Sequence, residues 1–246
     1  MILETKHITK SFGENKVLRD ISFELEKGKI YFLMGANGSG KTTLLNILTG
    51  FLTSDKGNIS WNGKDIINED PYLINKNGVS RTFQDLRLIE ELTVKENVLL
   101  SFKNQEGEKW WKAILPKNKY NTEQNNNIAN KILKETFIGE VGNQKAKEIS
   151  YGQQKLLTLA CCIANDAELF LLDEPVAGVN PNFREKLSNV IRNLQNKEKT
   201  FLIIEHNSDF IKLLANRILF LNEGTIFEYE SYQDMRMDKH VREAFV

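Results

Sequence analysis

Four short, continuously apolar runs restrict the fold of this chain more than any other feature of its sequence. They lie at 30–34, 169–172, 201–204 and 218–221. Strands that are covered on both faces have this composition, as in a parallel sheet packed between layers of helices. Between the runs lie helical patterns, such as the apolar positions of 183–194, which recur at spacings of three and four. Strands that alternate with helices predict an α/β fold with a parallel sheet.

Other segments depart from this alternation. The segment 21–25 alternates apolar and polar residues and is predicted to be a half-buried strand, whereas 58–61 is predicted to be a strand that enters a turn at Asn62-Gly63. From about 86 to 162 the sequence contains helical patterns but no obvious core strand. One such pattern consists of Ile128, Ile132, Leu133 and Phe137. This segment is predicted to be a helical insertion into the α/β domain.

The composition argues against several classes of protein. Lys plus Arg and Asp plus Glu both number 33, so the formal net charge is zero and no global field favours nucleic acid or an anionic membrane surface. Glu4 stands where a signal peptide would be apolar, which argues against export. The longest apolar run, 156–164, is much shorter than the roughly 20 residues that span a bilayer. We therefore expect any role in transport to require a separate membrane protein. Cys161 and Cys162 are predicted to be buried small residues in a reducing cytosol.

The segment after the first apolar run has the pattern of a phosphate-binding loop. Residues 35–42 read GANGSGKT, which fits G-x-x-x-x-G-K-[ST] between a buried strand and a helix-compatible run. Glycines let consecutive backbone N–H groups converge on phosphate oxygens, and a helix N-terminus adds its positive dipole end. Lys41 is expected to reach the β- and γ-phosphates, and Thr42 to ligate Mg²⁺. The predicted nucleotide-binding residues here are Gly35, Asn37, Gly38, Ser39, Gly40, Lys41, Thr42 and Thr43.

A second apolar run ends in two acidic residues, Asp173 and Glu174, followed by Pro175. Ligands of doubly wound folds bind at the carboxyl ends of strands, so these carboxylates are expected at the same edge as the phosphate loop. Asp173 is predicted to hold Mg²⁺, through a water molecule, and Glu174 to orient or deprotonate the attacking water.

Residues 149–153 read ISYGQ, which resembles the LSGGQ signature of the ABC-transporter ATPases. Further matches in order and spacing are Phe12 in KSFG, Gln84 in RTFQD, Asn180 in AGVNP and His206 in IIEH. On these motifs the chain is identified as resembling that family along nearly its whole length. The resemblance implies ATP and Mg²⁺ as cofactors and ATP hydrolysis as the activity.

The resemblance also implies a role for each of the matched residues. Phe12 would stack on adenine, Gln84 would join the metal site to the helical insertion, and His206 would contact the γ-phosphate. Ser150, Gly152 and Gln153 would close over ATP that is held by the phosphate loop of a second subunit. Asn180 occupies a position where most members carry Asp, so no acid role is transferred to it.

The fold that the resemblance implies is a P-loop NTPase (RecA-like) core with a parallel sheet, an N-terminal antiparallel β subdomain and an inserted α-helical subdomain. The expected ABC ATP-binding domain is 1–229, divided into a core of 1–85 and 163–229 and a helical subdomain of 86–162. Residues 230–246 would form a short C-terminal extension. Within it, Val241, Ala244 and Phe245 are docking candidates.

Several strings resemble one branch, the ATPases of branched-chain amino-acid importers. They are GVSRTFQDLRLIEELTVKENVL, SYGQQ, EPVAGVNP and EHNSDFI. That branch implies permease subunits, a second ATPase subunit and a solute-binding protein as partners, and a cytoplasmic location on the inner face of the membrane. Lipopolysaccharide-export ATPases are an alternative within the same broader branch. Trp110 and Trp111 are unmatched, and either partner contact or local packing would explain them.

Two alternatives lie outside transport. A non-transport ABC ATPase that acts on nucleic acid would usually carry paired ATPase domains, a coiled-coil insertion or zinc sites, and none is evident in the sequence. A sensor that binds ATP without turnover would be free to lose Glu174 and His206, which are both present. We therefore expect an ATP-hydrolysing transport subunit that has no nucleic-acid partner.

Overall fold

The computed structural model describes residues 1–83, 86–103 and 123–244. The strands of the described residues are β1 (Leu3–Phe12), β2 (Asn15–Leu25), β3 (Ile30–Met34), β4 (Lys56–Trp61), β5 (Lys64–Asp65), β6 (Val79–Arg81), β7 (Leu169–Asp173), β8 (Thr200–Ile204), β9 (Arg217–Asn222) and β10 (Thr225–Tyr229). The helices are α1 (Lys41–Leu48), α2 (Pro71–Lys76), α3 (Val94–Leu100), α4 (Glu123–Glu135), α5 (Tyr151–Ala164), α6 (Pro181–Gln195), α7 (Ser208–Leu214), α8 (Tyr232–Met237) and α9 (Lys239–Ala244).

The chain divides into two compact units. The first comprises Met1–Arg81, Glu168–Pro175 and Arg192–Val246, and the second comprises Thr82–Ala167 and Val176–Ile191.

The central sheet of the first unit has the strand order β10-β9-β3-β8-β7-β6. All pairings are parallel except that of β10 with β9, which is antiparallel. Every residue of β3, β7 and β8 is buried. The four apolar runs are therefore the strands that they were predicted to be, and the α/β fold with a parallel sheet is confirmed.

A second, antiparallel sheet of the first unit has the order β2-β1-β4-β5. This is the predicted N-terminal antiparallel β subdomain. The turn between β4 and β5 is made by Asn62 and Gly63, whose φ angles are 48° and 78°. Both residues are left-handed, as in the two-residue hairpin turns that Asn-Gly pairs favour.

The second unit contains α3, α4 and α5, which contact one another, together with most of α6. The expected insertion, 86–162, lies within this unit. The unit also takes in Val176–Ile191, which the sequence analysis assigned to the core. Packing explains this grouping, because the ring of Phe183 lies directly against the backbone of Gly152.

Helix α4 covers most of the helical pattern predicted for residues 128–137. Ile132 and Leu133 are buried, but Ile128 and Phe137 are 42% and 46% exposed. The helix ends at Glu135, and Phe137 has a φ of 58°, which takes its side chain off the helical repeat. The inclusion of Phe137 in the helical pattern was therefore wrong, whereas Ile128 lies within α4 as predicted.

The extension after Tyr229 forms α8 and α9. Val241 is only 1% exposed, so its prediction as a docking residue was wrong: it packs within its own unit, where α9 contacts β9. The side chains of Ala244 and Phe245, like Trp110 and Trp111, lie outside the described residues. In the part of the chain that the structure describes, no helix combines the length and the apolar character needed to cross a bilayer.

Candidate functional site

The predicted phosphate loop connects β3 to α1. Gly40 caps the N-terminus of α1 with a φ of 105°, in the left-handed region that suits glycine. A Cβ atom at Gly40 would also lie 2.9 Å from a methyl group of Val17. The last glycine of the loop is thus required both by its backbone conformation and by a close neighbour.

Lys41 is folded back over this loop. Its Nζ donates to the carbonyl oxygens of Gly35 at 2.9 Å and Ala36 at 2.8 Å, and the residue is only 8% exposed. Burial lowers the pKa of Lys41, and the charges of Glu174 and Asp173 oppose that shift. The loop, the lysine and both carboxylates therefore form one electrostatic cluster in the first unit.

The three hydroxyl side chains of the loop differ in exposure. The Ser39 Oγ is buried without a hydrogen-bond partner, whereas Thr42 is exposed at the start of α1 and Thr43 is half-buried. A buried hydroxyl without a protein partner is costly unless a ligand supplies one. The loop is thus suited to a polar ligand such as a phosphate.

Asp173 is the last residue of β7 and is held by a neighbouring strand. Nη2 of Arg81, the last residue of β6, lies 3.3 Å from its Oδ2, and the two side chains are 5% and 9% exposed. Nη1 of Arg81 also donates to Oδ1 of Asn46 in α1 at 2.6 Å. Sequence reasoning missed Arg81, although its place in RTFQD at the end of a strand was a usable signal.

Glu174 follows Asp173 in a constrained conformation. Its φ is 48°, which is unusual for a residue with a side chain, and its backbone N–H donates to the carbonyl of Ile204 at 3.0 Å. This turn places its Oε1 3.8 Å from Nε2 of His206. Strained backbone of this kind is typical of functional sites.

The backbone at His206 is held by Glu205, a second residue that sequence reasoning missed. The Oε2 of Glu205 accepts the backbone N–H groups of His206 at 2.8 Å and Asn207 at 3.0 Å. Glu205 is 4% exposed, so this carboxylate is a buried part of the turn between β8 and α7. The first unit thus brings together Lys41, Asp173, Glu174 and His206.

Phe12, the predicted adenine-stacking residue, ends β1 and is 51% exposed. The Nζ of Lys10 lies 5.7 Å from the centre of its ring. An exposed aromatic face is available for stacking with a flat ligand.

The predicted signature lies in the second unit, at the start of α5. Ser150 is the N-cap: its Oγ accepts from the backbone N–H of Gln153 at 3.4 Å, and its own N–H donates to the Gln153 side chain at 2.9 Å. This reciprocal pair is a capping box. The capping box marks the N-terminus of α5, and helix N-termini attract anions.

Aromatic rings lie close to two glycines of this unit, Gly152 in the signature and Gly178. A Cβ atom at Gly152 would lie 2.6 Å from the ring of Phe183, and one at Gly178 would lie 3.3 Å from the ring of Tyr151. The Oδ1 of Asn180 accepts the backbone N–H of Phe183 at 3.1 Å, so this residue caps the segment that supports the signature. Gln84, which the resemblance implies would join the metal site to the helical insertion, lies outside the described residues.

The strand–loop–helix cradle, with an acidic strand end beside it, defines a P-loop nucleotide hydrolase. Comparison with known proteins specifies the family. The sequence model of the ABC transporter family matches residues 18–177, and the chain therefore belongs to that family. It is accordingly an ATP-binding subunit with ATPase activity.

Two relatives and one solved structure illustrate the likeness. A probable branched-chain amino acid transport ATP-binding protein, LivG, of Methanocaldococcus jannaschii is 34% identical across 100% of this chain and 97% of its own length. The ribose import ATP-binding protein RbsA of Shouchella clausii is 34% identical over 98% of this chain, which spans only 47% of that relative. The crystal structure of a nucleotide-free ATP-binding cassette from an ABC transporter is 33% identical, with a TM-score of 0.86, and 100% of this chain and 98% of that chain are covered.

Proposed function

We propose that this chain hydrolyses Mg²⁺-ATP to drive a separate membrane permease that imports branched-chain amino acids or similar small solutes. The observation that carries the proposal is the cluster of Lys41, Asp173, Glu174 and His206 in a chain that is similar to LivG along its full length. Similarity to a ribose import protein supports solute import more generally. The chain would lie on the inner face of the membrane through its permease.

The phosphate loop would bind the nucleotide by charge and backbone geometry. Lys41 would exchange its two loop carbonyls for the β- and γ-phosphate oxygens, and Ser39 would gain a partner for its buried hydroxyl. The other loop residues, from Gly35 to Thr43, would supply backbone N–H groups. Phe12 would stack on the adenine.

Mg²⁺ would be held by Thr42, Asp173 and Gln84. Among the described residues, no group of three or more His, Cys, Asp and Glu side chains gathers to form a metal site. Asp173 would be the single carboxylate of this site, which fits a magnesium ion because Mg²⁺ commonly uses one or two carboxylates and takes further ligands from substrate phosphates. When bound, the ion would neutralise the charge that develops on the transferred phosphate.

Glu174 would act on the attacking water. Its carboxylate directly follows the buried strand β7 and lies 3.8 Å from His206, which supports this role. His206 would contact the γ-phosphate and so report whether hydrolysis has occurred. Gln84 would join this chemistry to the helical unit.

The signature would act on a second subunit. Ser150 is exposed at the N-terminus of α5, Gln153 is half-buried and Gly152 is buried, and a helix N-terminus suits the phosphates of ATP held by another copy or by a second ATPase. ATP would then bind the two subunits together, and hydrolysis would release them. A solute-binding protein would deliver the substrate outside the membrane.

Reconstitution with the co-purifying permease tests this proposal. We expect ATPase activity in proteoliposomes to rise when the solute-binding protein is loaded with leucine, isoleucine or valine, with ribose and lipopolysaccharide as the comparison substrates. Glu174→Gln should lower kcat by at least about 100-fold while ATP still binds. Glu24→Gln, an exposed glutamate on β2, is the matched control.

Other outcomes would assign a different function. Activity that responds to ribose alone would change the substrate class, and activity that responds to lipopolysaccharide would indicate export. Stimulation of the ATPase activity by nucleic acid without any permease would refute transport.

The role of the signature has its own test. ATP-dependent dimerisation of Glu174→Gln, measured by light scattering and abolished by adding Ser150→Ala, would support that role.

A further inference from the structure

Asp55 connects the segment after α1 to the end of β1. Its backbone N–H donates to the carbonyl of Thr9 at 2.9 Å. Its side chain accepts from the backbone N–H of Ser11 at 2.7 Å and from Nζ of Lys10 at 3.0 Å. One residue therefore holds three consecutive residues of β1, and all of these contacts lie within the first unit.

The end of β1 has a regular strand neighbour on neither side: β4 no longer pairs with it, and its pairing with β2, which continues to Phe12 and Asn15, is irregular. The pairing with β4 stops at Thr9 and Lys56, after a register shift. On the other side, the pairing with β2 shifts between Ile8 and Lys10 and again between Lys10 and Ser11. Beyond Thr9, the carboxylate of Asp55 takes the place of a neighbouring strand by accepting the Ser11 N–H.

The supported residues lead directly to Phe12. Phe12 is the last residue of β1, and Gly13 follows it with a φ of 59° in the turn to β2. The Lys10 ammonium is bound by Asp55, has a side chain only 12% exposed, and lies 5.7 Å from the Phe12 ring centre. Asp55 therefore restrains the backbone before the ring and the cation beside it.

The charge of Asp55 is suited to this role. Hydrogen bonds from Lys10 and from the Ser11 backbone lower the pKa of the Asp55 carboxyl. The group is therefore ionised at neutral pH and accepts from both donors.

We propose that Asp55 is a positioning residue for the adenine-stacking ring of Phe12. This role rests on the adenine contact proposed above for Phe12. Asp55 follows α1, whose first residue is Lys41 of the phosphate loop, so its contacts with β1 link the segment that would hold the phosphates to the residue that would hold the base. A ring held in place before binding loses less freedom when it stacks, which increases affinity.

Affinities for two ligands separate positioning from a general structural effect. ATP contains adenine and inorganic tripolyphosphate does not, so only ATP should depend on the Phe12 ring. We would measure both dissociation constants by calorimetry for the wild type, Asp55→Ala, Asp55→Asn, Phe12→Ala and the double variant Asp55→Ala/Phe12→Ala. Asp20→Asn, an exposed carboxylate on β2 that pairs with His7, is the control.

We expect Asp55→Ala to weaken ATP binding by about three- to tenfold and to leave tripolyphosphate binding unchanged within twofold. Asp55→Asn should have a smaller effect, because an amide oxygen still accepts from Ser11. In the Phe12→Ala background, Asp55→Ala should have no further effect on ATP. In the permease complex, Asp55→Ala should raise the KM for ATP without lowering kcat.

Three results would overturn the positioning role. The first is that Asp55→Ala weakens the binding of ATP and of tripolyphosphate equally. The second is that Asp55→Ala weakens ATP binding just as much when Phe12 is already alanine. The third is that neither Asp55 variant changes the affinity for ATP. If Phe12→Ala itself leaves the preference for ATP over tripolyphosphate unchanged, the adenine contact fails and the role of Asp55 fails with it. If Phe12→Ala removes that preference and the Asp55 variants do not reduce it, only the positioning role fails. Should Asp55→Ala not fold, as judged by circular dichroism, Asp55→Asn and Lys10→Gln carry the same test.

Discussion

Arg81 and Asp173 form a buried ion pair at the carboxyl ends of two neighbouring parallel strands. Their atoms lie 3.3 Å apart, and both side chains are less than a tenth exposed, at 5% and 9%. The same guanidinium reaches Asn46 in α1, the helix that begins at the phosphate loop. Arg81 thus links the acidic strand end to the helix of the phosphate loop.

The first prediction concerns this pair. Arg81→Leu should lower the free energy of unfolding by about 3–5 kcal/mol, because it leaves the Asp173 carboxylate buried without its arginine. Adding Asp173→Asn should recover part of that loss, since the buried charge is then removed. Urea unfolding measures the free energy of unfolding of both variants. The control is Arg217→Gln, which breaks more exposed pairs with Glu228 and Glu230. It should change the free energy of unfolding by less than about 1 kcal/mol. Equal effects of Arg81→Leu and Arg217→Gln would contradict the prediction.

The second prediction concerns the support of His206. Glu205→Ala removes the acceptor of two backbone N–H groups, so it should destabilise the protein by about 1–3 kcal/mol and lower kcat in the permease complex. Glu205→Gln keeps one side-chain oxygen and should have a smaller effect on both. Urea unfolding and steady-state ATPase assays provide the two values, with Glu24→Ala as the exposed control. A kcat that is unchanged in Glu205→Ala would show that this carboxylate does not position the histidine.

The third prediction concerns the packing beneath the signature. Gly152→Ala should cost about 1–3 kcal/mol, because the new Cβ atom would lie 2.6 Å from the Phe183 ring. The smaller side chain in Phe183→Leu should make the same Gly152→Ala change less costly, and a double-mutant cycle by urea unfolding measures this coupling. Gly139→Ala is the control, because its Cβ would meet no atom closer than 3.7 Å. Strictly additive effects would mean that the ring moves aside freely.

The fourth prediction concerns the two free cysteines. Burial raises the pKa of Cys161 to about 11 and also raises that of Cys162. The thiolate is the reactive form, so at pH 8 only about one Cys161 in a thousand would be ionised. We expect iodoacetamide to modify neither cysteine within an hour in the native protein, and both in guanidinium chloride, as measured by mass spectrometry. Cys162 is buried as predicted, whereas Cys161 is only half-buried, so the prediction of burial was wrong for Cys161. Rapid native alkylation of either residue would contradict the raised pKa values.

The sequence patterns predicted those parts of the fold that depend on local rules. A run such as 30–34 is apolar at every position, and a strand with both faces covered tolerates little else. The loop at 35–42 is similarly recognisable, because its three glycines all have positive φ angles, which favour glycine. The prediction failed at the end of α4. The spacing of Phe137 from Leu133 fits the helical repeat, but the helix ends at Glu135.

The sequence by itself therefore determined the strand–loop–helix cradle, the acidic strand end and the capped helix of the signature, because each is specified by residues close together in the chain. Only the tertiary structure decided which distant side chains support them. Arg81 meets Asp173 across 92 positions, and Asp55 meets Ser11 across 44. The sequence around a charged residue does not indicate its partner, because an ion pair depends on how strands and loops are brought together in space. The burial of Val241 has the same origin. It is determined by the packing around α9, and the sequence pattern of α9 does not indicate it.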